Sequence, residues 1–143
     1  MARSIVSSGI ALCAMALTTA AGATSPRTVF SAHDPEGRLP NTHIRELGDV
    51  HVQGVTYSIY YLTFVNPSSR HGQQRIAIIR NGNHFAGAYQ CLLGEGGGRL
   101  VIGKDRLTVY EGGLTFVIEF DSRGPTHKER TFCGEGSGWE NSI

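Results

Sequence analysis

Asn81-Gly82 stands between two apolar-rich runs, "QRIAIIR" at 74–80 and "HFAGAYQCLL" at 84–93. A two-residue connection of this type needs positive φ at both central positions, and Asn-Gly supplies them with little strain. So short a link only joins antiparallel neighbours. It therefore predicts a β-hairpin, with Phe85, Tyr89, Cys91 and Leu93 on one face of the return strand. Gly87 lies among them, where a strand glycine marks a bend or a close approach of another group.

The same grammar repeats along the chain. Short runs rich in β-branched and aromatic residues occur at 42–52, 55–65, 99–103, 106–110, 114–120 and 126–133. They are separated by Gln53-Gly54, Asn66-Pro67, "GEGGG" at 94–98, "KD" at 104–105, "EGG" at 111–113 and "DSRGP" at 121–125. No segment sustains a helical period over about 11 residues. The pattern predicts an all-β fold, a small antiparallel meander of about eight strands over 42–134, closed as a barrel or a two-sheet sandwich. Run 55–65 is apolar on both faces, which predicts cover on both sides. In run 114–120, Leu114, Phe116, Ile118 and Phe120 alternate with Thr115 and Glu119. Lys128 or Arg130 is expected to face Glu119 across the final pair.

The ends read differently. Arg3, the apolar run "IVSSGIALCAMAL" and the small-residue site "AGA" at 21–23 have the order of a secretory signal peptide over 1–23. The run is too short for a membrane span, which needs about 20 apolar residues. Leu12 before Cys13 disfavours lipidation. Residues 24–41 hold three prolines and read as an irregular arm, pinned to the body by Val29 and Phe30. Residues 135–143 read as a glycine-rich tail whose one aromatic side chain is Trp139.

Cleavage after Ala23 removes Cys13 and leaves Cys91 and Cys133. In an exported chain this predicts one disulfide. Closing a loop of about 42 residues would stabilise the fold by roughly 4 kcal/mol in the chain-entropy account. Cleavage also removes Arg3 from 13 basic residues, leaving 12 against 12 acidic ones. That balance argues against nucleic acid or an anionic membrane as partner. The expectation is a secreted or periplasmic monomer with no cofactor.

Sites suggested by motif dissolve on inspection. Gly98, Gly103 and Lys104 match a phosphate-binding loop, but Asp105 replaces the hydroxyl residue. Arg99, Leu100, Val101 and Ile102 prefer a strand, and another strand follows where the motif needs a helix. Lys104-Asp105 is therefore expected at a hairpin tip. The six histidines (His33, His43, His51, His71, His84 and His127) show no metal-ligand spacing. His43 and His51 would sit about 27 Å apart on an unbroken strand. No nucleophile motif is present. The carboxylate pairs Asp34 with Glu36, and Glu95 with Glu111, fall at turns. No catalytic or metal-binding residue is assigned.

The aromatic stripe "YSIYY" places Tyr57 and Tyr61 on one side of its strand and Tyr60 on the other. These rings read as core anchors, with a ligand wall as the alternative. If a pocket exists, Tyr60, Arg75 and His84 are the candidate binding residues. Convergence of Arg75, His84 and Glu119 on one cavity would instead indicate a small secreted enzyme.

Three fragments, "YQC" at 89–91, "LTVY" at 107–110 and "FC" at 132–133, are similar in order to motifs of the secreted inhibitors of c-type lysozyme. The resemblance implies a small exported β-barrel that inhibits an envelope-targeting hydrolase. The Ser-Gly inhibitory loop of that family has no counterpart here, so no inhibitory residue carries over. The leading expectation is an exported, non-enzymatic β domain that binds a small ligand or a protein partner in the cell envelope or outside the cell.

Overall fold

The computed structural model describes residues 23–69, 72–90, 99–111, 113–126, 139–140 and 143. Two antiparallel sheets form the body. The first holds β1 (Thr42–Val52), β2 (Val55–Val65), β3 (Gly72–Arg80), β4 (His84–Gln90) and the two-residue β9 (Trp139–Glu140), in that spatial order. The second holds β5 (Arg99–Ile102), β6 (Arg106–Glu111), β7 (Leu114–Asp121) and β8 (Gly124–Pro125). Among the described residues the sheets do not close into a barrel. They meet where the edge of β1 reaches the β5–β6 tip, through His51 N–H donating to the Lys104 carbonyl at 3.3 Å.

Turn chemistry sets the registers. Gln53 and Gly54 both take positive φ, 50° and 78°, and close the pair Val52↔Val55. Asn81 and Gly82 do the same at 49° and 76°. There, however, the closing pair is Arg80↔His84, so Asn83 joins the connection and the loop is one residue longer than the Asn-Gly reading. The turn is tied to β2: Asn81 N–H donates to the Thr56 carbonyl at 2.8 Å, and Thr56 N–H donates to Asn81 Oδ1 at 3.1 Å. Lys104-Asp105 forms the expected tip between β5 and β6.

The first sheet is buried on both faces. One face packs on the second sheet through Val50, Tyr57, Ile59, Ile76, Ile78 and Tyr89 against Leu107, Val109, Ile118 and Phe120. The other face carries Tyr60, Leu62, Ala77, Ile79, Phe85 and Ala88, covered by Val29, Phe30, Leu39 and Ile143. Alternation along β2 thus feeds two separate cores, which is why that run has no polar face. The cover corrects the reading of 24–41 as wholly irregular: Pro26–Ser31 is a short helix, α1. Ser25 caps it by accepting the Thr28 N–H, and Pro26 starts it, where a missing N–H costs nothing. Phe30 is fully buried and meets Tyr60 and Phe85 edge-on, with ring centroids 5.6 Å and 6.0 Å away.

Two further expectations are corrected. Phe85 and Tyr89 do not share a face. The β3–β4 register passes from Ile78↔Gly87 to Ile79↔Phe85, so Ala86 bulges out and the alternation flips. Phe85 therefore enters the arm-side core and Tyr89 the inter-sheet core. The reading of 135–143 as a tail that merely ends the fold is also wrong at its described positions. Trp139 pairs with Tyr89 and Glu140 with Ala88, extending the first sheet beyond β4. Ile143 N–H donates to the His33 carbonyl at 3.0 Å, and its side chain closes the arm-side core. Gly124–Pro125, within the expected "DSRGP" turn, pairs with Asp121 and Phe120. Residues 1–22 of the expected signal peptide, "GEGGG", residues 127–133 of the strand expected at 126–133, Lys128, Arg130 and the cysteines Cys91 and Cys133 lie outside the described residues. Glu119 is opposite Arg106 on β6.

Candidate functional site

Of the three residues singled out for a pocket, Arg75 borders a cavity. It sits on β3 opposite Leu62 and Gln90, on the arm-side face. Its guanidinium pairs with the Glu140 carboxylate. Around it, Arg38, Thr42, Leu62, Phe64, Gln73 and Ile143 line a cavity of about 10 Å³. That is room for about one water molecule and no organic ligand.

Asp34 builds this corner from the arm. Its carboxylate accepts the N–H groups of Arg38 at 2.8 Å and Leu39 at 2.7 Å, fixing the turn before the 3-10 segment Leu39–Asn41. Arg38 is thereby aimed over the Phe64 ring, 5.7 Å from its centroid, and donates to Gln73 Oε1 at 2.6 Å. Its remaining arm pairs with Glu36. Asp34 and Glu36 thus serve the loop and the guanidinium, and neither faces the other as an acid–base pair.

Tyr60 is in the arm-side core, under Phe30. His84 is exposed at the far end of β4, beside the Asn81–Asn83 turn. Neither borders the Arg75 cavity, and Glu119 points outward from the other sheet. The histidines are likewise dispersed. His43, His51 and His84 are exposed, while His33 stacks on Phe85 with centroids 4.5 Å apart. His71 and His127 lie outside the described residues. Among those described, no three His, Cys, Asp or Glu side chains gather as a metal ion would need.

Where the surroundings move the proton affinity of a described side chain, they reinforce its charge state at neutral pH. A side-chain hydrogen bond from Arg106 lowers the Asp105 carboxyl. The Arg123 backbone N–H lowers Asp121. Burial raises the hydroxyls of Tyr57 and Tyr60, with Glu46 and Asp49 adding to the effect at Tyr60.

The chain matches no family model, no curated protein and no solved structure with which it was compared.

A second concavity was not visible in the sequence. Ser25, Pro26, Arg27, Thr42, His43 and Ile44 line an open groove of about 300 Å³ between α1 and the outer edge of β1. Arg27 shapes it by donating to the carbonyls of Leu39 at 2.9 Å and Thr42 at 3.2 Å. Nothing in the local sequence marks Arg27, because its partners are backbone atoms about 12 to 15 residues away, a separation set by the fold. Among the described residues no helix is long and apolar enough to cross a membrane.

Proposed function

We propose that this protein is an exported, non-enzymatic binding module that engages a macromolecular partner through its outer surface. One observation carries the reading. Among the described residues both apolar layers are filled by their own side chains, and the cavity at Arg75 has about 10 Å³ of space. Small-molecule sites are typically clefts of about 300–1,000 Å³ with convergent polar groups. The groove of that size beside β1 is open and lies on the surface. Export is carried by the charged, apolar and small-residue segments of 1–23, and Cys91 with Cys133 would form the accompanying disulfide.

Native mass spectrometry of the protein purified from the medium or envelope fraction of an exporting host tests this. The expected species is the bare mature chain, alone or with a protein partner. A stoichiometric small organic ligand carried through purification would overturn the surface-binding reading.

A further inference from the structure

We infer that the outer edge of β1, over Thr42–Glu46, receives an extended, acidic segment of a partner polypeptide as an added strand. This rests on the surface-binding reading above and names the class of partner.

The hydrogen-bond alternation of β1 leads to this edge. The Val52↔Val55 pair closes a two-residue turn, so those residues bond to each other and the pattern alternates away from them. His51 and Asp49 then face outward. The register shift between Glu46 and Gly48 leaves Leu47 as an extra residue and resets the alternation. Beyond it, Glu46, Ile44 and Thr42 face outward. The two ends corroborate this: His51 N–H reaches Lys104 across the gap between the sheets, and the Thr42 carbonyl accepts Arg27. Between them, the backbone N–H and C=O groups of Ile44 and Glu46 have no partner among the described residues. The strand is regular there, and the bulge limits the usable edge to its first half.

Charge selects the occupant. Arg27, His43 and Arg45 surround this edge against a single carboxylate within it, the exposed Glu46 on the face opposite Arg45, and among the described residues none of the three has a carboxylate partner. Arg45 is exposed and lies over the Tyr61 ring, 5.5 Å from its centroid. His43 and Arg45 share one face of β1 and Ile44 shares the other with Glu46, while the groove at the start of the strand is lined by both His43 and Ile44. An added strand alternating acidic and apolar residues would place its carboxylates on His43 and Arg45. Its apolar side chains would meet Ile44 and the groove.

Fluorescence anisotropy with a labelled peptide of alternating glutamate and valine tests the inference, with the lysine–valine peptide of equal length beside it. The wild type should bind the glutamate peptide and not the lysine peptide, with binding weakened at about 0.5 M salt. Glu46→Pro removes an outward N–H that β1–β2 pairing does not use. It should weaken binding by about tenfold or more, as loss of a backbone hydrogen bond and its neighbour implies. Glu46→Ala keeps the N–H and should bind at least as well as wild type. Arg45→Glu should reverse the preference between the two peptides. Should Glu46→Pro misfold, amide exchange on the wild type decides instead: the glutamate peptide should slow Ile44 and Glu46. Equal binding of both peptides, no binding of the glutamate peptide, unchanged exchange at Ile44 and Glu46, or wild-type dimers that pair through this edge would each overturn it. Those results leave the native mass spectrum untouched, so failure here is separable from failure of the surface-binding reading.

Discussion

A Cβ built on Gly87 would stand 2.1 Å from Cζ2 of Trp139. The indole occupies the space a side chain at Gly87 would take, and Gly87 holds φ at 140°, which side-chain-bearing residues rarely adopt. The bulge at Ala86, the open backbone at Gly87 and the pairing of Trp139 with Tyr89 form one device. It brings β9 onto β4 and seats the indole against Tyr89, with ring centroids 4.8 Å apart.

Gly87→Ala should therefore destabilise the protein by about 3 kcal/mol or more, from overpacking and backbone strain together. Adding Trp139→Ala should relieve the overpacking and leave the strain, about 1–2 kcal/mol. Urea unfolding of the double-mutant cycle measures this. Strictly additive effects would show that the indole does not occupy the glycine.

The glycine was legible in the sequence; its partner was not. Apolar alternation and turn residues are local, so they placed most strands within a residue or two. What escaped depends on distant chain. The bulge at Ala86 arises from how β4 meets β3, and it moved Phe85 to the other core. Trp139 and Ile143 looked like tail residues because nothing nearby in sequence shows that β4 and the arm receive them. The helix Pro26–Ser31 was missed because about one and a half turns are too few for a period to register. Yet its signals, Ser25 before Pro26, were present. Tyr60, Arg75 and His84 sit on the neighbouring strands β2, β3 and β4. Register and face separate them.

Phe30→Ala should cost about 3–5 kcal/mol, the usual range for an aromatic removed from a filled core. The ring is fully buried between Tyr60 and Phe85. Thermal or urea unfolding monitored by far-ultraviolet circular dichroism would check it. A loss under about 1 kcal/mol would mean that α1 is an appendage.

Tyr57 predicts the alkaline limit of stability. Its ring is fully buried, and its hydroxyl donates to the Asp121 carbonyl at 2.9 Å. Burial holds its proton affinity above the ordinary value of 10.0, with Arg80 opposing and Asp121 assisting. The folded chain therefore keeps this proton better than the unfolded chain does. The contribution is complete below pH 10 and is lost as pH rises towards the folded value. Tyr57→Phe should flatten that decline while costing about 1 kcal/mol at neutral pH. Urea midpoints measured from pH 8 upward, alongside tyrosinate absorbance, would show both effects.

The exported chain should begin at Thr24, and its mass should rise by about 2 Da on reduction, as closure of Cys91 with Cys133 requires. Intact mass with and without reductant checks both. An unchanged mass, with two thiols reacting in the folded protein, would remove the disulfide from the account.

The first sheet is sealed twice, by the second sheet and by the N-terminal arm. Amide hydrogen exchange of the mature protein tests it most directly. Arm amides bonded within the fold, such as Val29 and His33, should gain protection of the same order as the β2 and β3 amides and lose it with them in Phe30→Ala. Exchange of Val29 and His33 at the rate of a free peptide, while β2 and β3 stay protected, would contradict it.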